Sequence, residues 1–195
     1  MTRFIPLPLL AAALLTGSVA QAQTTQGTRV LGLSGGNFTL QRDDFATGFS
    51  GTLAPTAGVF VADNLALGVN VPFSYSRFAA RSDEFRSRGL SVGLLPWLRY
   101  YLPSESRHRV FGELSVGGVL NSYRRKEAGY YGNGDQASTD TYLLASAGLG
   151  YSYFITPAVG LEALLAYQRN GGNSQEFGRG ALGLSLGLRV YLPKN

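Results

Sequence analysis

The sequence holds 195 residues and no cysteine, and its 17 basic and 12 acidic side chains leave a net charge of +5. This length suits one domain; the missing cysteines exclude disulfides and thiolate metal sites; so small a positive excess makes no case for a nucleic-acid partner. Glycine and aromatic residues are abundant while mean hydropathy sits at +0.03, the balance expected when one face of each strand meets lipid and the other a polar lumen.

The first segment reads as an export signal. Arg3 supplies a positive start, Leu7 to Leu15 a short apolar run interrupted by Pro8, and Ala20-Gln21-Ala22 a small-x-small cleavage site. The run falls short of the ~20 apolar residues of a spanning helix. The expected organisation is a signal peptide over residues 1–22 and one domain over 23–195, where losing Arg3 lowers the charge from +5 to +4.

Eight strands follow, read from period-two alternation and from breaker clusters. Strand one, about Thr28 to Leu40, is rich in glycine and leaves its face assignment open. Strand two, Phe49 to Val61, points Leu53, Ala57, Val59 and Val61 one way. Strand three, Leu65 to Phe78, does so with Leu65, Leu67, Val69, Val71, Phe73 and Tyr75. Strand four, Gly89 to Leu102, carries Leu90, Val92, Leu94, Leu98 and Tyr100 on that face, and strand five, about Arg109 to Ser122, carries Val110, Leu114, Val116 and Leu120. Strand six, Asp140 to Ile155, aligns Leu143, Leu149, Tyr151 and Tyr153. Strand seven, from Val159, aligns Leu161, Leu165 and Tyr167. Strand eight is the clearest, with Leu182, Leu184, Leu186, Leu188, Val190 and Leu192 alternating against Gly183, Ser185, Gly187, Arg189 and Tyr191. Only a strand gathers such a set on one face.

Tight links at Asp63-Asn64, Pro103 to Arg107 and Thr156-Pro157 alternate with longer ones at Gln41 to Thr47, Ala79 to Arg88, Arg124 to Ser138 and Asn170 to Phe177. Short turns on one rim and long loops on the other is the outer-membrane pattern, with both termini on the periplasmic rim. In lipid every backbone N–H and C=O needs an internal partner, so the sheet has to close. The predicted fold is all-β: an eight-stranded antiparallel up-and-down transmembrane β-barrel, located in the bacterial outer membrane.

Four charges fall on the face opposite leucine: Arg99, Glu113, Glu162 and Arg189. Arg99 and Glu113 flank one short turn at similar distances, and Glu162 and Arg189 flank the last long loop. A buried charge needs a partner, so the four are expected to form a lumenal ion cluster, either a gate or a fixed plug that fills space. Inward glycines such as Gly68 and Gly150 are expected to make room for Trp97, Phe111 and other large side chains, since eight strands enclose a bore just wide enough for side chains. Arg81, Arg86, Arg88, Arg124, Arg125 and Lys126 form a basic loop surface, with Arg77 beside it. Clustered arginine suits phosphate, which points to lipopolysaccharide phosphates, outer-membrane lipid or an extracellular partner.

Catalysis finds little support. The single histidine, His108, lies by a short turn between Arg107 and Arg109, away from the outer rim where a general base would serve. Asp43-Asp44 and Asp83-Glu84 are acidic pairs without a calcium-loop pattern. No catalytic residue, metal or cofactor is expected.

Three stretches carry a family resemblance: Val59 to Gly68, Pro96-Trp97-Leu98-Arg99-Tyr100-Tyr101-Leu102, and Gly148 to Glu162. They resemble the outer-membrane protein β-barrel domain family, the small OmpX/OmpA-type porin-like barrels, over about residues 28 to 192. The resemblance implies a monomeric barrel with structural, adhesive or host-facing loops and charged residues inside. The chain departs from that class in ending Tyr191-Leu192-Pro193-Lys194-Asn195 rather than on an aromatic residue. Two alternatives remain: a narrow solute-permeable channel, and a soluble lipocalin-like barrel binding a lipophile, whose leucines would face inward.

Overall fold

The computed structural model describes residues 24–80, 85–129, 132–171 and 180–194. The signal peptide, Arg81 and the Asp83-Glu84 pair lie outside the described residues. Nine β segments are formed: β1 (Arg29–Arg42), β2 (Ala46–Ala62), β3 (Leu65–Asn70), β4 (Phe73–Ala80), β5 (Phe85–Tyr101), β6 (His108–Gly129), β7 (Gly132–Thr156), β8 (Val159–Gly171) and β9 (Ala181–Leu192). Every pairing is antiparallel, and β1 pairs with both β2 and β9, which closes the sheet on itself. β3 and β4 run end to end in the same place, each between β2 and β5. Nine segments therefore make eight strand paths of an up-and-down barrel.

The gap between β3 and β4 corrects the continuous third strand. Pro72 has no N–H to donate, so the ladder breaks there. Val71 N donating to Pro55 O at 2.9 Å, and Gly93 N donating to Pro72 O at 2.9 Å, hold the wall together across the break.

Most leucines face outward, the inward Leu95 and Leu164 being exceptions. Leu182 is 72% exposed and Leu149 71%, while the buried hydrophobic residues are those of opposite parity. Glycine-rich β1 takes the same sense: Leu31 and Leu33 are exposed and Val30 is buried. An apolar wall this extensive belongs in lipid, and a lipocalin-like barrel would have the reverse faces. The outward apolar stretches Leu65–Tyr75, Leu90–Tyr100, Val110–Leu120 and Leu182–Leu192 each cover eleven residues. At the usual strand rise and a steep tilt, that is a band about 25 Å tall, enough to cross the hydrocarbon core.

Two of the expected long loops are largely strand. β6 and β7 have 22 and 25 residues and pair continuously to Gly129↔Gly132, so the described residues between Arg124 and Ser138 are paired strand standing above the apolar band rather than loop. The Gln41 to Thr47 link contracts to Asp43-Asp44-Phe45 between β1 and β2. There the Asp43 carboxylate accepts from Phe45 N at 2.9 Å and Ala46 N at 2.7 Å, and from Gln41 Nε2 at 3.0 Å. These bonds, the Gln41 amide foremost, hold the Asp43 carboxyl below its ordinary pKa. A depressed pKa means that the bonds stabilise the turn fully above the ordinary carboxylate range and are lost as pH falls through the folded value. Amide exchange at Ala46, intrinsic rates corrected for, is expected to accelerate on acidification, and Asp43→Asn should remove that dependence.

Candidate functional site

The near rim carries the start of β1 and the end of β9, with Arg29 opposite Leu192, and the three short links. Just inside it the lumen is packed with rings. Phe60, Tyr101, Phe111, Phe154 and Tyr191 are all fully buried. Their centroids stand close: Phe60–Tyr101 at 5.7 Å, Tyr101–Phe111 at 5.2 Å and Phe154–Tyr191 at 5.0 Å. Glycine on the adjoining strand makes the fit possible, since a Cβ on Gly150 would overlap the Phe111 ring.

Directly on these rings sits a closed ring of charge. Arg99 and Glu113 are register partners on β5 and β6. Arg99 Nε and Nη2 donate to Glu113 Oε2 at 2.8 and 2.5 Å, and Nη1 donates to Glu162 Oε2 at 2.6 Å. Arg189 Nε reaches the same Glu162 oxygen at 2.6 Å, and its Nη2 lies 3.8 Å from Glu113 Oε2. The four side chains from four strands thus alternate in sign, and their formal charges cancel. Arg99 is 1% exposed, its guanidinium 3.7 Å from the centre of the Phe111 ring, a stacked position that adds cation–π attraction.

Three further buried residues join this region. Tyr191 donates to Glu162 Oε1 at 2.8 Å, and the Tyr101 hydroxyl lies 3.2 Å from the same oxygen and 2.8 Å from the Tyr191 hydroxyl. Their hydroxyls fill the carboxylate's remaining lone pairs, which makes the buried charge tolerable. Arg109 is a fifth buried charge, 3% exposed. It donates to Thr24 Oγ1 at 3.3 Å and Asn64 Oδ1 at 3.4 Å, tying the segment before β1 to the β2–β3 turn. Its parity with Phe111 and Glu113 was the available signal.

The basic residues separate into two faces. Arg77, Arg88 and Arg124 are register partners on β4, β5 and β6 and all point outward. One outward position further, Arg42 pairs with Thr47 and Arg86 with Lys126. Arg86, Arg88, Arg124 and Lys126 are therefore strand residues rather than loop residues. Arg125 has the other parity, with its guanidinium 4.8 Å from the Phe85 ring centre, so it does not belong to the outward surface. Lys126 lies 3.5 Å from Asp135. The arginine row stands one outward position beyond Tyr75 and Leu90.

His108 begins β6, just after the short turn. It hydrogen-bonds the Tyr151 hydroxyl, and its ring is 5.1 Å from that of Tyr153, in an outward belt of rings at the near rim. Among the described residues no group of three or more His, Asp or Glu side chains could hold a metal ion.

No family model matches the sequence, and no curated protein matches it. Solved structures do match. A major outer membrane protein from Thermus thermophilus aligns over 85% of this chain and 99% of its own, with 15% identity and a TM-score of 0.58. Ail, the attachment invasion locus protein of Yersinia pestis, aligns over 86% of this chain and 99% of its own, with 12% identity and a TM-score of 0.50. The outer membrane protease OmpT from Escherichia coli aligns over 86% of this chain and 95% of its own, with 10% identity and a TM-score of 0.52. At such identities the likeness is one of fold, and it bears out the transmembrane β-barrel class.

Proposed function

We propose that this chain resides in a bacterial outer membrane as a structural and surface-interaction barrel, neither an enzyme nor an open channel. Its near rim and both termini lie in the periplasm. The outward wall of its far half engages the phosphate groups of lipopolysaccharide. The observation that carries this reading is the row Arg77–Arg88–Arg124 directly above the apolar band. Like charges side by side across a ladder repel, and none of the three forms an ion pair with a carboxylate among the described residues. A row of guanidinium groups at headgroup height matches a row of phosphates in charge and in bidentate geometry. The ring-packed near half and the ion cluster support a closed lumen.

Unfolding of the refolded protein in lipid bilayers tests the lipid partner. Lipopolysaccharide is expected to raise the midpoint of thermal unfolding, and dephosphorylated lipopolysaccharide is not. The Arg77→Gln/Arg88→Gln/Arg124→Gln variant should fold but lose that response, as should the wild type at high salt. An equal response in wild type and variant would refute the assignment. Recovery of folded protein from the soluble periplasm would overturn the location, and stable single-channel currents in planar bilayers would overturn the closed lumen.

A further inference from the structure

Above the ion cluster the lumen is not filled. A cavity of about 320 Å³ runs from Arg99, Glu113, Glu162 and Arg189 toward the far rim, to the level of Asn37 and Asn170. Among the described residues its only charged lining is those four floor side chains. The walls carry hydroxyls and amides: Thr52 with Ser74, bonded at 2.8 Å, Ser115 with Ser146 at 2.9 Å, and Gln168.

Two residues lining this cavity each carry a buried polar atom with no hydrogen-bond partner among the described residues: Arg189 Nη1, a donor, and Asn70 Oδ1, an acceptor. Arg189 is 8% exposed. The two residues share one ladder row, Arg189–Gly32–Thr56–Asn70, across β9, β1, β2 and β3. Gly32 clears the way, because a Cβ there would stand 2.8 Å from Arg189 Cγ. Buried polar groups without partners are costly, and an arginine donor more than most.

From this arrangement we infer that the cavity is a binding site for a small uncharged polyhydroxylated molecule, of the size of a monosaccharide. A hydroxyl both accepts and donates, so one class of group satisfies Arg189 Nη1 and Asn70 Oδ1 together. An ion would enter against a floor whose charges already cancel, and would lose its hydration without a counter-charge. The volume falls at the small end of ligand pockets, and Leu95 and Leu164 on the walls offer apolar contact to the C–H faces of a sugar ring. This inference is independent of the lipid-phosphate assignment, which concerns the outer face.

The single tryptophan reports on the floor. Trp97 Nε1 donates to Thr56 Oγ1 at 2.9 Å, and the Arg189 guanidinium lies 5.1 Å from its ring centre. The refolded protein in an amine-oxide detergent, which has no sugar headgroup, is titrated with glucose, with sorbitol and with inorganic phosphate while Trp97 emission is followed. Saturable change with glucose or sorbitol and none with phosphate is the expected result. Asn70→Leu should weaken apparent affinity by about tenfold, the scale of one lost hydrogen bond of ~1.4 kcal/mol, while keeping the heat-modifiable gel mobility of a folded barrel. Arg189→Lys, which keeps the charge but removes the fork, should weaken it as well. Saturation by phosphate would make this an anion site and overturn the inference. So would the absence of saturation by both polyols, or a response that Asn70→Leu leaves unchanged and that therefore arises away from Asn70.

Discussion

Arg99→Met is expected to destabilise the barrel by about 3–5 kcal/mol, the cost of leaving a buried charge without its partner. The substitution keeps the length of the stem but removes four donations, two to Glu113, one to Glu162 and one to the Tyr101 hydroxyl. Two carboxylates would then share Arg189, whose contact with Glu113 is 3.8 Å long. The remaining charge is net negative and enclosed by rings. Denaturant unfolding in micelles measures the loss. The sharper check is the double variant Arg99→Met/Glu162→Gln. It restores a neutral floor, and the glutamine amide can still accept from Arg189 through its oxygen while its N–H donates to a tyrosine hydroxyl oxygen. The double variant is expected to be more stable than Arg99→Met alone, because the penalty lies in the uncompensated charge rather than in lost contacts. If the two substitutions instead add, as distant sites do, the four side chains do not act as one neutral unit.

What could be read from the sequence follows the reach of alternation. Inside the bilayer one face must be apolar, so parity separates Leu182 from Gly183 and places Arg99, Glu113, Glu162 and Arg189 on a common side. In the structure those four are in contact. Above the bilayer both faces are wet, so alternation fades. Arg124-Arg125-Lys126 then looks like a loop, although it continues β6 and points Arg125 to the opposite face. Only the partner strand's register shows that Arg77, Arg88 and Arg124 form a row, because their sequence spacing is irregular and the strands between them reverse. The tyrosine hydroxyls on Glu162 were hidden for another reason: β5 and β9 approach it from different sides, and alternation says nothing about which inward side chains meet. The break at Pro72 was legible from proline chemistry alone.

Gly68→Val is expected to prevent the barrel from closing. The row Gly58–Gly68–Trp97 runs across β2, β3 and β5, and the indole lies flat over both glycines. A Cβ on Gly68 would overlap both the Trp97 ring and the backbone oxygen of Ala57. A ring can rotate away, but a ladder oxygen cannot move without breaking its pairing. Over-packing of this kind costs about 1–3 kcal/mol where side chains can adjust, and more is expected where backbone blocks the way. The same device recurs at Gly150 under Phe111 and at Gly32 under the stem of Arg189, so the narrow lumen accepts long side chains by laying them over glycine on the next strand. Outward Gly118 has no such duty: nothing lies within 4 Å of a Cβ there. Gly118→Ala should therefore keep the heat-modifiable mobility of the wild type, while Gly68→Val loses it. Adding Trp97→Leu to Gly68→Val should recover only part of the folded fraction, because the Ala57 oxygen remains. Full recovery would mean that the ring alone sets the requirement for glycine, and no loss in Gly68→Val would mean that the wall is looser than its register implies.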